Sequence, residues 1–437
     1  MTLENPAVIE ELARVSADTG REPPVAGKKV VQGTVIVANN YFYRRGGAEV
    51  VALEESRALR ALGWNMIPFS MHHEKNDASP YSQYFAQEIE FGNQYGLMKT
   101  ALNAMRIIYS RDAAQQLERL IANTHATVLH AHNVYHHLSP SVLRLAKQRG
   151  LKVILSLHDF KLLCPAYSMT RQQKVCEECK PNRVHKVVVN RCMKGSLALS
   201  GLVFVESAIH RMAGLYRDNV DLFISPSQFL IDKFVEWGWP REKFQLIRNF
   251  VDPRQFDVSA SCVGDEFLYF GRLSGEKGIA TLIRAAAHSK VPLAIVGHGP
   301  QEAELKALAQ SLRAQVRFLG YRSGAALWSE IAAARAVVLP AEWYENAPVS
   351  LLEAMACGKV IIAAKIGGVP EIVNETTGFL FESGNVESLA ARLKSVHEMP
   401  AAQITQIGSV ARARVESDFS EHRHVELLQR VYRAPLA

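Results

Sequence analysis

Twice along this chain, short β-rich runs alternate with amphipathic helical patterns, and that alternation leaves few folds open. From Gly33 the segments GTVIVANN, ATVLHAH and VILSLHDF are separated by AEVVALEESRALRALG and SPSVLRLAKQRG. Strands divided by helices build parallel βαβ units rather than hairpins. The pattern resumes after residue 265 with FLYFGRL, IATLIRAAA, PLAIVGHG, QEAELKALAQSL, VRFLGY, AVVLPAE, VIIAA and GFLFESG. At 437 residues the chain exceeds one ordinary core, which stops growing near ~250 to 300 residues, so two α/β domains are expected.

The expected organisation is a flexible extension over 1–27 and a Rossmann-like domain over 28–257 that carries a Cys-rich insertion at 164–195. A second Rossmann-like domain follows over 258–415, and a terminal helix over 416–437 crosses back to the first. The hinge is placed in FVDPRQFDVSASCVG. A composition of 48% hydrophobic and 21% charged residues excludes a disordered or collagen-like chain. No apolar run reaches the ~18 residues of a membrane span. The acidic residues of MTLENPAVIEELARV oppose a signal peptide, so a cytoplasmic location is expected. The net charge of +7 suits anionic partners without choosing among nucleotide phosphates, lipid head groups and nucleic acid.

Open parallel sheets bind ligands beyond the carboxyl ends of their strands, so the strand-to-helix loops carry the information. In EWYENAPVSLLEAMACG, Pro348 suits a first helical turn and Gly358 a position just past the helix end. Pro348, Leu351, Leu352 and Met355 form a buried stripe, with Glu353 among the small residues Ser350, Ala354 and Cys357. A buried carboxylate costs several kcal/mol without hydrogen bonds. Glu353 is therefore expected to reach back toward Glu345 and the N–H groups of Asn346 and Ala347, so that two carboxylates meet a ligand rich in hydroxyls. A capping or ion-pair role accounts for Glu353 equally well.

GRLSGEKG puts Arg272 and Lys277 in one tight loop, the composition that grips a diphosphate, although a solvated turn has it too. YRRGGAE places Gly46 and Gly47 at the start of the first long helix, where free amides and the helix dipole favour an anion. Gly297 of GHG is a weaker hint of the same kind. His158 and Asp159 end one strand, and His130 and His132 share a face of another. No carboxylate is expected to complete a convincing metal site with these histidines.

In this order, GRLSGEKG, VGHGP, the E-x7-E spacing of Glu345 and Glu353, and GGVPEIV followed by TGFLF resemble the retaining glycosyltransferases of family 4, from Gly33 to about Leu393. The resemblance implies the GT-B fold, an α/β architecture of two Rossmann-like domains whose parallel sheets face a central cleft. It implies that Arg272 and Lys277 hold the diphosphate of a UDP- or GDP-sugar, with Gly46, Gly47 and Gly297 close to the donor. Glu353 would hold the ribose, and Tyr321 would lie near the base. Glu345 with Asn346, Ala347, Pro348 and Val349 would hold the transferred sugar, and His158 would contact it beside the reacting carbon. His158 and Glu345 are thus the expected catalytic pair, in a front-face process where the leaving diphosphate helps deprotonate the acceptor hydroxyl. The chain has no D-x-D motif, so no metal cofactor is expected for catalysis. It departs from the family pattern at Asn249-Phe250-Val251-Asp252, where Asn-Gly-Val-Asp is usual, and at Lys359, where proline is usual.

Cys164, Cys176, Cys179 and Cys192 follow the spacing C-x11-C-x2-C-x12-C, which suits a structural zinc site or a set of free thiols. From Arg171 to Lys194 there are seven Lys or Arg against two Glu, followed by the apolar SLALSGLVFVESAIHRMAGLYR. This composition fits a helix lying on an anionic membrane as well as a buried one. A lipid-linked saccharide acceptor at the inner face of the plasma membrane is expected, in surface polysaccharide or glycoconjugate synthesis, with no nucleic acid partner. Two other readings compete: a zinc-containing basic nucleic-acid-binding protein, and a nucleotide-sugar binder that has lost catalysis.

Overall fold

The computed structural model describes residues 32–88, 105–256 and 262–435. The extension expected over 1–27 and part of the expected hinge, residues 257–261, lie outside them.

Two parallel six-stranded sheets organise these residues. The first comprises β1 (Thr34–Ala38), β2 (Asn65–Phe69), β3 (Val128–Ala131), β4 (Lys152–Ser156), β7 (Leu222–Ser225) and β8 (Phe244–Leu246), in the order β2-β1-β3-β4-β7-β8. A two-residue hairpin, β5 (Thr170–Arg171) with β6 (Lys174–Val175), stands apart from it. The second sheet comprises β9 (Phe267–Phe270), β10 (Leu293–Val296), β11 (Val316–Gly320), β12 (Ala336–Leu339), β13 (Val360–Ala364) and β14 (Gly378–Phe381). Its order is β11-β10-β9-β12-β13-β14. In each sheet the order reverses beside the first strand, which opens a crevice at the carboxyl ends.

Alternation of side chains across each strand splits each lobe's core into two layers. In β1, Ile36 and Ala38 join one apolar cluster while Val35 and Val37 join another on the opposite face. In β9, Leu268 and Phe270 face one layer and Phe267 and Tyr269 the other.

The helices that matter for the cleft are α1 (Gly47–Ala61), α2 (Leu197–Met212), α3 (Gln228–Glu236), α4 (Ile279–Ser289), α5 (Val349–Ala356), α6 (Ala401–Asp418) and α7 (Glu421–Arg433). The terminal helical stretch is two helices. Ser420 breaks it in extended geometry and caps α7 by accepting from the Arg423 N–H. Helix α6 packs on α5 in the second lobe, whereas Val425, Leu428, Val431 and Tyr432 of α7 complete a core layer of the first. The chain therefore crosses between lobes twice. The two crossings pair where the Val251 N–H donates to the Phe419 carbonyl at 3.2 Å.

Candidate active site

The exits of β9, β10 and β12 are packed backbone against backbone. A Cβ on Gly297, just past β10, would lie 1.9 Å from the Gly271 carbonyl oxygen, and one on Gly278 would lie 1.9 Å from that of Pro340. Both glycines also have positive φ, so no other residue fits without strain. This close approach gathers Arg272, His298 and the Glu345 loop on one rim.

Facing that rim across the lobe boundary is the start of α1. Between them lie two cavities, one of about 740 Å³ and one of about 780 Å³. The first is bordered by Arg44, Arg45 and Gly46 of one lobe and by Gly297, Tyr321 and Glu353 of the other. The second is bordered by Gly47 and His158 on one side and by Lys277, Glu345, Asn346, Ala347 and Pro348 on the other. Arg272 and Val349 line both. The sequence-derived donor residues thus all line one divided cleft. A Cβ on Gly47 would meet nothing within 4 Å, so the helix start opens into free space.

Two local expectations need correction. Pro348 is the residue before α5, at φ −66°, rather than part of its first turn; Gly358 does adopt the left-handed conformation past its end. Glu353 and Glu345 do not converge on one spot: they line adjacent chambers. Glu345 belongs to the loop that enters α5, whereas Glu353 lies more than a turn further along the helix and points into the other chamber. Burial pushes the Glu353 carboxyl up to about 7. Glu345 is 7% exposed, and its Oε1 accepts from Lys277 Nζ at 2.7 Å and from Trp343 Nε1 at 2.8 Å. The Lys277 ammonium also lies 4.9 Å from the Trp343 ring centroid. Lys277 is thus committed to a carboxylate, while Arg272 has no ion pair among the described residues. Next to Glu345, Asn346 donates to the His158 carbonyl at 3.4 Å, and its buried Oδ1 has no hydrogen-bond partner among the described residues.

His130 and His132 are fully buried, and a carboxylate does converge on them: Glu55 of α1. One ligand atom from each of the three lies within 4.8 Å of the others. Glu55 lies far from both histidines in sequence, and only the packing of α1 on the sheet brings them together. Polar groups already occupy His130, whose Nδ1 is 2.7 Å from the Tyr432 hydroxyl and whose Nε2 is 2.8 Å from Ser156 Oγ.

The four clustered cysteines are free thiols. Burial pushes Cys179 up to about 12 and Cys192 up to about 11, and each also senses the Cys164 and Cys176 sulfurs. The donor set is right in kind for zinc, and the Met169 and Ala166 N–H groups face the Cys164 sulfur. The spacing is wider than zinc requires, because the Glu55, His130 and His132 group is the one trio of possible ligands within 4.8 Å among the described residues. Between the cysteines, Glu177 accepts from Lys233 of α3 at 2.7 Å and from the Tyr344 hydroxyl at 2.9 Å, which ties the insertion to the Glu345 loop.

Sequence reasoning assigned no role to Glu371, although GGVPEIV contains it. Its carboxylate accepts from the N–H groups of Gln228 and Phe229 at the start of α3, at 2.9 and 2.7 Å, and from Arg248 at 2.9 Å. One acidic residue thereby caps a helix of the other lobe. A smaller cavity of about 360 Å³ adjoins the cleft at Asp159 and Tyr167. Its polar wall includes Glu49, His136, His137 and Lys161. No short motif marks it, because its wall comes from three separate segments, which follow β1, β3 and β4.

Residues 45–255 match the family model described as Glycosyltransferase Family 4, and residues 264–413 match that described as Glycosyl transferases group 1. Over 237 residues the chain is 27% identical to the amylovoran biosynthesis glycosyltransferase AmsK of Erwinia amylovora, covering 50% of this chain and 58% of that one. The chain thus spans little more than half the length of that relative. Among solved structures, sucrose-phosphate synthase from Thermosynechococcus elongatus superposes with a TM-score of 0.68 at 20% identity, covering 92% of this chain and 98% of that one. Anabaena HepE, in complex with UDP and glucose, superposes with a TM-score of 0.62 at 20% identity, covering 91% and 99%.

Proposed function

We propose that this chain, which belongs to glycosyltransferase family 4 and has the GT-B fold, transfers a sugar with retention from a UDP- or GDP-sugar to a lipid-linked saccharide in polysaccharide synthesis. The observation that carries the reading is the divided cleft with Arg272 at its partition. A nucleotide sugar has the same layout: a nucleoside at one end, a sugar at the other and a diphosphate between them. The ribose would meet Glu353, the base would lie near Tyr321 and Gly297, and the diphosphate would lie between Arg272 and the α1 start at Gly46 and Gly47. Lys277 adds positive charge beside it. The sugar would fill the second chamber against Glu345, His158 and the amides that lead into α5.

In that arrangement the departing diphosphate is stabilised by cations and helix ends already in place, the electrostatic term that dominates many enzymes. Its oxygen takes the proton of the acceptor hydroxyl as that hydroxyl bonds to the anomeric carbon on the same face. No step is assigned to a metal ion. The polar cavity beside Asp159 is suited to a saccharide acceptor. The exposed apolar residues of α2, with Met212 81% and Leu197 56% exposed, support contact with a membrane at its cytoplasmic face. No helix among the described residues is long and apolar enough to cross one. The four cysteines have the donor chemistry of a structural zinc site, but their sulfurs stand wider apart than one ion requires among the described residues.

The test is to incubate the full chain with UDP- and GDP-hexoses and a lipid-linked saccharide on anionic vesicles, and to determine the product's anomeric configuration by NMR. Nucleoside diphosphate release with an α-linked product from an α-linked donor is expected. A β-linked product would overturn retention, and absence of turnover with every donor would favour a sugar-nucleotide binder. Elemental analysis of the same preparation decides whether zinc is present at one per chain.

The Glu353 carboxyl gives this assignment a pH signature. A ribose hydroxyl donates to a carboxylate, and the free protein holds this group protonated below about 7. Affinity for UDP should therefore rise about tenfold per pH unit below that point and level off above it. In Glu353→Gln the calorimetric profile should lose this rise and keep only the shallower dependence that the terminal phosphate of UDP brings. A wild-type profile without this rise would remove Glu353 from the ribose site.

A further inference from the structure

Away from the cleft, a cavity of about 680 Å³ lies where the end of α2, the turn after α3 and the Cys-rich insertion near Pro181 meet. That volume is typical of a small-ligand pocket, about 300–1,000 Å³. Two residues on its wall carry polar atoms with nothing to bond. Tyr216 is 5% exposed and Trp237 6%, and neither the Tyr216 hydroxyl nor Trp237 Nε1 has a hydrogen-bond partner among the described residues. An indole N–H can only donate, and a buried donor left unmet costs about 1–3 kcal/mol.

The free charges of the cavity are positive. Arg211 donates to the carbonyls of Leu162 and Leu163 at 3.1 and 2.7 Å, and its longer contacts, to the Pro181 carbonyl and Asn182 Oδ1 at 3.5 Å, are with neutral oxygens too. Lys161 is engaged by Glu206, and Glu236, the carboxylate on the wall, by Lys180 and Lys233. Arg211 and Arg217 are left without an ion pair among the described residues. Unmet donors beside two uncompensated guanidinium groups favour an anion.

The mouth of the cavity continues an apolar surface. Leu197, Val205 and Met212 of α2 are exposed, and their i, i+8, i+15 spacing puts them on one face of the helix. Met212 also lines the cavity, as does Trp239, an aromatic of the kind that sits at membrane interfaces. An anionic head group entering beside Met212 would leave its chains along that face, in the bilayer.

We infer that this cavity binds the head group of one anionic membrane phospholipid, its phosphate held by Arg211, Arg217, the Tyr216 hydroxyl and the Trp237 N–H. Free phosphate offers the same oxygens but nothing for the apolar mouth, so the lipid is the occupant. The inference rests on the membrane contact proposed for α2 and gives that contact a lipid selectivity that an apolar face alone lacks.

The test is calorimetry of the full chain, without nucleotide sugar or acceptor, against dihexanoylphosphatidylglycerol below its micelle concentration. Saturable binding of one lipid per chain is expected. Dihexanoylphosphatidylcholine, glycerol phosphate and inorganic phosphate should each bind at least ~10-fold more weakly, and equal affinity for any of the three overturns the inference. Tyr216→Phe removes a hydroxyl without a partner among the described residues, so the melting temperature should not fall, while lipid affinity should drop about fivefold for one lost hydrogen bond. Arg217→Ala should lose a similar factor. A loss with Arg217→Ala but not with Tyr216→Phe would mean attraction to a charged surface without a pocket, and would also overturn it. Sugar transfer is measured separately. Lipid binding by a protein that transfers no sugar supports this site and removes the function proposed above, whereas transfer without lipid binding keeps that function and removes the site.

Discussion

Arg272→Ala is expected to lower kcat/KM for transfer on the order of 10²- to 10³-fold while leaving the melting temperature unchanged. The two halves of that result come from the same geometry. Arg272 is exposed at the partition between the two cavities and forms no ion pair among the described residues, so its removal exposes no buried charge. Its proposed ligand is the diphosphate, which gains charge as the glycosidic bond breaks. A guanidinium contributes more to that transition state than to the ground state. Lys277 does not replace it, because Lys277 Nζ is held 2.7 Å from Glu345. Arg272→Lys should recover only part of the activity, since an ammonium lacks the two-pronged donor geometry that matches a phosphate. Steady-state rates with saturating acceptor, together with a thermal melt, decide the matter. A loss below about threefold would move the diphosphate elsewhere.

The fold and the residues that line the cleft were legible in the sequence for a common reason: both depend on local patterning. Strand-helix alternation specifies parallel sheets, and each of these motifs occupies a single strand exit, so Arg272, Lys277, Glu345 and Glu353 could be placed before their neighbours were known. The failures are contacts between distant segments. Glu353 and Glu345 were expected to converge because they are eight positions apart, yet the partition at Val349 puts them in separate chambers. Glu55 was invisible because a carboxylate in the middle of α1 looks like a solvated face until α7 and β3 cover it. Glu371 was quoted within a motif but given no role, since the three hydrogen-bond partners of its carboxylate all lie on the opposite lobe. The cysteine spacing suggested zinc, but the sulfurs stand wider apart than zinc requires, because their separation is set by the path of loops that sequence spacing does not describe.

Removing Glu206 should destabilise the first lobe by about 3–5 kcal/mol, the cost of leaving a buried charge without its partner. Glu206 Oε2 accepts from Lys161 Nζ at 2.8 Å, and its other oxygen lies 3.1 Å from His136 Nδ1. The Glu206 side chain is 0% exposed and that of Lys161 5%. Burial raises the Glu206 carboxyl, but Lys161 and His136 pull it down to about 2. This carboxylate therefore contributes stability above the ordinary value of 4.5, and that contribution is lost as pH falls toward 2. In Glu206→Leu the Lys161 ammonium keeps, among the described residues, only the Pro165 carbonyl at 3.0 Å, so the melting temperature should drop sharply. The double variant Lys161→Met with Glu206→Leu should recover most of the loss, because two apolar side chains can replace a buried pair at little net cost. Its activity should not recover in parallel. Lys161 and His136 line the polar cavity beside Asp159, so a stable but apolar wall should leave UDP affinity intact and raise KM for the acceptor saccharide. If the restored variant regains full activity with an unchanged acceptor KM, that cavity does not hold the acceptor, and the ion pair serves the fold alone.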